Sequence, residues 1–193
     1  MPKVSVIMSC YNHEKYIAEA INSVLTQTFQ DFEIILINDG STDNSSSIIQ
    51  KIYELNKDKM IFIDHKINQR PRFSGSEGIG LASGEFIAWN DGDDIWYPTK
   101  LEKQMNLYQL DTEKSLGLVY CYGENIIVSK KRYRNKISAI APQDDIFKQL
   151  FNSAFFLKIS QVVRKEVYEC VGLGNEKYPY CADWITRYST RRR

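Results

Sequence analysis

The stretch GLASGEFIAWNDGDD, Gly80 to Asp94, decides the reading of the fold. Its middle, Glu85 to Asn90, has the length and apolar, aromatic character of a buried strand, and it runs directly into Asp91, Gly92, Asp93 and Asp94. A strand that buries its side chains cannot continue through three carboxylates. It ends there, and the acidic group stands at its carboxyl end.

Working toward the N-terminus, the same grammar repeats. Met60 to Asp64 reads as a strand, and a short helix is expected near Gly75 to Ala82. Phe32 to Asn38 (FEIILIN) is a buried strand that ends in its own acidic loop, Asp39, Gly40, Ser41, Thr42 and Asp43. That loop precedes a helix with Ile48, Ile49, Ile52 and Leu55 on one face. Lys3 to Ser9 is the first strand, and Glu14 to Thr26 places Ile17, Ile21, Val24 and Leu25 at helical spacing. Short apolar strands alternating with amphipathic helices predict an α/β fold, with a Rossmann-like, mostly parallel sheet flanked by helices.

Toward the C-terminus the pattern is more mixed. Pro98 to Leu110 is expected as a helix with proline in its first turn, and Leu116 to Tyr122 as a strand. Lys130 to Lys136 (KKRYRNK) reads as a solvated loop or hairpin face, with acceptor or lipid contact as the alternative. A short helix over Gln143 to Phe151, a strand over Ala154 to Val163 and a final helix from Trp184 complete the expectation.

With 193 residues and 43% hydrophobic content, a single domain with a real core is expected over residues 1–193. Lys and Arg total 25 against 24 Asp and Glu, so no global field draws the chain to nucleic acid. No stretch approaches the roughly 20 apolar residues of a membrane helix, and the start has too short an apolar run for a signal peptide. The expected location is cytoplasmic. Cys10, Cys121, Cys170 and Cys181 form no CxxC pair, which argues for reduced thiols over a zinc site or a disulfide framework.

The chemistry lies in the two acidic loops. Open α/β sheets place ligands at the carboxyl ends of their strands. Asp91, Asp93 and Asp94 repel one another unless a cation or hydrogen-bond donors compensate, and hard carboxylate oxygens suit Mg2+ or Mn2+. Such an ion takes much of its shell from substrate phosphates, so one or two of these carboxylates suffice for a diphosphate. A solvated turn with a helix cap is the alternative reading. Asp39 follows a neighbouring buried strand and should emerge on the same edge, where its carboxylate can accept from the N3 amide of uracil while Gly40 turns the chain tightly. Capping by Asp39, Ser41 or Asp43 can coexist with that role.

Taken together, VSVIMSCYN (Val4 to Asn12), SVLTQTF (Ser23 to Phe29), EIILINDGSTD (Glu33 to Asp43), GLASGEFIAWNDGDD (Gly80 to Asp94) and a looser match through Leu101 to Gln104 resemble family 2 glycosyltransferases. The joint order and spacing are far more specific than a lone DxD. The resemblance implies the GT-A fold, with residues 1–104 as a nucleotide-sugar-binding half and 105–193 as a smaller, mixed acceptor-side half. It implies an inverting enzyme that uses a UDP-sugar donor and Mn2+ or Mg2+, in bacterial surface polysaccharide or glycoconjugate synthesis. Carried onto this sequence, Tyr11 and Asp39 contact the uracil, Asp91 the ribose or metal region, and Asp93 the metal, with Asp94 supporting the loop. The acceptor is a saccharide or lipid-linked saccharide.

Members of the family also carry an acidic catalytic base near the acceptor, often in a Glu-Asp pair. Asp183 in CADW takes that place, with Ala182 departing from the pair and an N-cap for the helix from Trp184 as the alternative. A second departure is Gly75 and Ser76, where the family often has Arg-Asn. Arg70 and Arg72 can supply phosphate-facing charge instead, or stand as exposed loop residues. The helix from Trp184 ends in Arg191, Arg192 and Arg193 with no capping signal behind it. The chain is therefore expected to be a catalytic core lacking C-terminal segments, which in the family close the acceptor site or provide peripheral membrane association at the inner face.

Other signals carry less. Gly78, Gly80 and Gly84 precede a strand instead of joining a first strand to a helix, the wrong context for a dinucleotide loop, and no P-loop sequence is present. His13 and His65 read as surface or loop histidines, and Trp89, Trp96 and Trp184, which flank the acidic loops, as core residues, with stacking on a sugar face as the alternative. The residues alone leave open a nucleotidyltransferase, a metal-dependent phosphohydrolase or a non-catalytic nucleotide-sugar-binding module.

Overall fold

A computed structural model describes residues 1–121, 123–127, 133–137 and 158–171. Among these residues the central sheet has six strands: β1 (Val4–Cys10), β2 (Phe32–Asn38), β3 (Met60–Asp64), β4 (Phe86–Asp91), β5 (Leu118–Val119) and β8 (Val162–Arg164), in the spatial order β3-β2-β1-β4-β8-β5. β1 to β4 run parallel, and β8 is antiparallel to both β4 and β5. A separate antiparallel pair joins β6 (Gly123–Ile127) to β7 (Tyr133–Ile137), so the basic stretch at 130–136 overlaps a hairpin strand.

Helices cover both faces of the sheet, as a strand buried on both sides requires. On one face α1 (Ile17–Leu25), α2 (Ser45–Glu54) and α4 (Lys100–Leu110) bury Ile17, Ile21, Val24, Ile49, Leu101 and Met105 against Val4, Val6, Met8, Ile34 and Leu36. On the other, α3 (Pro71–Leu81) and α5 (Lys165–Val171) place Ile79 and Tyr168 against Ile7, Ile35, Ile37, Ile87 and Trp89. Each fully buried Ile or Leu side chain stabilises the fold by about 1.5–3 kcal/mol.

The alternation expected from the sequence is present, with differences at element ends. α1 begins at Ile17, not Glu14, because the His13 carbonyl closes a turn by accepting from Tyr16 and Ile17. Leu55 lies past the end of α2 and is exposed, so it does not join Ile49 on the buried face. α3 starts a turn earlier than expected, with Pro71 in its first turn, where a fixed φ is already helical. α4 starts at Lys100, since the Pro98 carbonyl turns away to accept from the Thr28 amide at 2.9 Å.

The strand expected over Leu116 to Tyr122 shrinks to Leu118–Val119. The Leu116 amide is taken by the Asp111 carboxylate, and its carbonyl by the Arg164 guanidinium. Of the strand expected over Ala154 to Val163, residues 154–157 lie outside the described residues, Lys158–Ser160 is a 3-10 turn, and strand is found at Val162–Arg164. The helix expected over Gln143 to Phe151 and the one from Trp184 lie outside the described residues.

Candidate functional site

The parallel register carries the chemistry to one edge. Cys10 pairs with Asn38, Ser9 with Asp91, and Asn38 with Asp64, so β1, β2, β3 and β4 all end on a common line. Beyond that line opens a cleft of about 320 Å³, lined among others by Tyr11, His13, Asp39, Ser74, Asp91 and Asp93. Tyr11, Asp39, Asp91 and Asp93, singled out in the sequence, are therefore brought together around one cleft. Asp183 lies outside the described residues.

The loops after β1 and β2 are bonded to each other. Asn12, at φ 58°, accepts from the Thr42 amide through Oδ1 and donates its own amide to Ser41 Oγ. Asp43 accepts from the amides of Glu14 and Ser45. Asp43 thus serves the start of α2, which leaves Asp39 for the cleft. Gly40 has φ 71°, and a Cβ there would come within 2.5 Å of the Asn68 backbone nitrogen, so both the turn and the neighbouring loop exclude a side chain.

Asp39 is buried, 3% exposed, and its Oδ1 accepts from the Gln69 amide at 2.8 Å. The same oxygen lies 3.1 Å from Nδ1 of His65, whose Nε2 lies 2.9 Å from Glu77 Oε2. His65 is therefore no surface histidine: its side chain is 9% exposed and joins the Asp39 loop to α3. The available signal was its place just after β3, on the same sheet edge as Asp39. His13 is likewise drawn into the cleft wall, against Gly92, with a buried Nδ1 that has no partner among the described residues.

On the opposite side, Asp91 Oδ1 accepts from Ser9 Oγ at 2.6 Å, and the Gly92 amide donates to the Ser9 carbonyl. Asp93 is exposed at the cleft. Burial, reinforced by Asp91 and Asp93, pushes the Asp94 carboxyl up to about 6. The three carboxylates form no ion pair among the described residues, which is the environment a divalent cation would relieve. No group of three candidate metal ligands exists among those residues. The donor set thus fits an ion that takes one or two carboxylates here and its remaining oxygens from a bound diphosphate.

The departures from the family pattern have a steric counterpart. Gly75 is buried with Trp89 3.3 Å from where a Cβ would sit, so an arginine cannot occupy the position without moving the indole. Arg70, at φ 78°, and Arg72 are not among the residues lining the cleft. Ser74, 1% exposed, does line it, and its hydroxyl has no partner among the described residues. Trp89 and Trp96 are core residues, with Trp89 Nε1 donating to Tyr168 Oη at 2.8 Å. Trp184 lies outside the described residues.

Comparisons with known proteins identify the fold and the family. An uncharacterized glycosyltransferase of Haemophilus influenzae is 36% identical over 95% of this chain and 58% of its own length. S. aureus TarS 1–349 in complex with UDP superposes with a TM-score of 0.72 at 24% identity, over 96% of this chain and 54% of that one. Mannosyltransferase PcManGT from Pyrobaculum calidifontis, in complex with GDP-Man and Mn2+, superposes with a TM-score of 0.65 at 17% identity, over 89% and 47%. The chain spans less than two thirds of the length of these relatives. The fold is the GT-A fold of these glycosyltransferases. The sequence model of Glycosyl transferase family 2 matches residues 5–172, and with that match the chain belongs to glycosyl transferase family 2.

Proposed function

We propose that this chain is the donor-binding core of an inverting glycosyltransferase that moves a sugar from a UDP-sugar to a hydroxyl of a saccharide or lipid-linked saccharide. The observation that carries the reading is that Tyr11, Asp39, Asp91 and Asp93 line a single cleft at the carboxyl ends of β1, β2 and β4. Asp39 Oδ1 is saturated by Gln69 and His65, whereas Oδ2 makes no bond among the described residues and is available to the N3 amide of uracil. Tyr11, 45% exposed, offers an aromatic face to the base.

Asp91, fixed by Ser9, borders the ribose and diphosphate, and Asp93 would hold the ion. When bound, Mn2+ or Mg2+ offsets the negative charge that develops on the leaving diphosphate. UDP in one neighbour and GDP-Man with Mn2+ in the other support a nucleotide-sugar donor and a divalent ion. Asp183 is the proposed base. As the acceptor oxygen bonds to the anomeric carbon, its proton passes to the Asp183 carboxylate, and the bond to the diphosphate oxygen breaks on the opposite face with its electron pair leaving on UDP. Synthesis of a bacterial surface polysaccharide or glycoconjugate is the proposed setting. Among the described residues no helix is long and apolar enough to cross a membrane.

The test is a thermal-shift titration with UDP and UDP-sugars, with and without Mn2+, because a ligand bound only by the native state raises its apparent stability. Asp93→Ala should lose the metal-dependent part of the shift, and Asp39→Ala should lose uridine recognition with or without metal. Equal UDP affinity in the wild type and both folded variants would refute the site.

A further inference from the structure

We propose that His65 is a positioning residue for base recognition: it fixes Asp39 as a hydrogen-bond acceptor and thereby sets the preference for a uracil over a cytosine nucleotide. The inference rests on the proposed function and adds to it a residue outside the cleft-lining carboxylates.

The argument begins with backbone register. Asn38 is the last residue of β2, and its carbonyl accepts from the His65 amide at 2.9 Å, one step beyond the Asn38–Asp64 pair. This bond anchors the His65 main chain beside the Asp39 loop. The imidazole lies between two carboxylates, with Nδ1 3.1 Å from Asp39 Oδ1 and Nε2 2.9 Å from Glu77 Oε2. A neutral imidazole donates from one nitrogen only. Carboxylate oxygens stand at both ends of the ring, so a hydrogen on Nδ1 is directed at Asp39 and one on Nε2 at Glu77.

Three consequences follow for Asp39. Its Oδ1 receives two donors, His65 Nδ1 and the Gln69 amide, so the plane of the carboxyl group is held from two directions. A carboxylate held by donors at one oxygen presents the other oxygen as an acceptor. Oδ2 therefore meets a base as an acceptor. The N3 position of uracil carries a hydrogen and fits it, whereas N3 of cytosine is itself an acceptor and opposes it. Glu77 closes the unit on α3, the helix whose Ser74 lines the same cleft. Without the ring, Asp39 Oδ1 keeps only the Gln69 amide, and the carboxyl group is free to turn out of the plane in which Oδ2 meets the base.

The experiment measures UDP and CDP dissociation constants by calorimetry, with Mn2+ present, for the wild type, His65→Ala, His65→Gln and Asp39→Ala, each checked for a cooperative thermal transition. The wild type should prefer UDP, and Asp39→Ala should lose that preference. His65→Ala should weaken UDP binding roughly tenfold, the scale of one charge-assisted hydrogen bond, with a much smaller effect on CDP. His65→Gln, whose amide can still donate toward Asp39, should recover part of the preference, and it serves as the test should the alanine variant fail to fold. A wild-type UDP preference that depends on Asp39 but persists unchanged in the folded His65 variants would overturn the inference and leave the base reading standing. No dependence on Asp39 at all would overturn both.

Discussion

Ser9 and Asp91 sit opposite each other on β1 and β4, and the Ser9 hydroxyl donates to Asp91 Oδ1 over 2.6 Å. The bond crosses from the first strand of the fold to the strand that delivers the acidic group. It fixes one carboxylate of three that otherwise repel one another. Ser9→Ala should therefore reduce UDP affinity in the presence of Mn2+ by about threefold to tenfold, the scale of one ordinary hydrogen bond acting through the orientation of Asp91. Affinity without metal should change less. Calorimetric titrations of both proteins with and without Mn2+ provide the check, and identical metal dependence would show that Asp91 does not rely on Ser9.

Asp183→Asn should leave UDP binding nearly intact while strongly reducing transfer. The amide keeps the shape of the carboxylate but cannot take the acceptor's proton. General-base assistance is worth roughly 100-fold to 10,000-fold in rate, so the loss should be of that order. Parallel measurement of the UDP dissociation constant and of UDP release with acceptor separates the two effects. Wild-type transfer at neutral pH would assign the base elsewhere.

The parallel half of this fold is legible in the sequence because its strands are short, mostly apolar runs and α1 and α2 carry an apolar stripe, so period and length suffice there. Phe32–Asn38 and Met60–Asp64 agree to the residue. Element ends are less legible, since they depend on bonds between distant residues, such as Thr28 with the Pro98 carbonyl or Arg164 with the Leu116 carbonyl. The same distinction governs the site. Asp39, Asp91 and Asp93 stand out as carboxylates at the ends of apolar strands and Tyr11 only through the family resemblance, but His65 acquires its partners only when the loop after β3 folds back beside Asp39 and α3 brings Glu77 to its other nitrogen.

Gly78→Ala should destabilise the fold by about 1–3 kcal/mol, the usual cost of overpacking a filled core. The added methyl would lie 2.6 Å from Ile7 Cγ2 and 3.3 Å from Ile37 Cδ1, both on fully buried strand residues. Helix propensity favours alanine by up to about 1 kcal/mol, so any loss observed understates the steric term. Urea unfolding monitored by circular dichroism measures the difference. A more stable variant would mean that α3 can move away from the sheet at little cost.

The last prediction concerns acid stability and the antiparallel side of the sheet. Asp111 is held at about 2, well below the usual carboxylate range, first by the Leu116 amide and then, against a contribution from burial in the other direction, by the Ser115 amide and hydroxyl and by Arg164. Arg164 is itself 5% exposed and also binds Glu85 Oε1 and the Leu116 carbonyl. Asp111 therefore ties the segment after α4 to β8. Its carboxyl group binds protons less readily in the folded state than in the unfolded chain, so its stabilising contribution is fully present above the ordinary value of 3.8 and is lost as pH falls toward about 2. Asp111→Asn should be less stable than the wild type at neutral pH, because its amide nitrogen faces donors where the carboxylate accepted. The gap should narrow as pH falls from about 4 to about 2, where the wild-type carboxylate is itself protonated. Urea unfolding at several pH values across that range reads the gap directly. A difference that stays constant with pH would assign the loss to packing and not to the charge of Asp111.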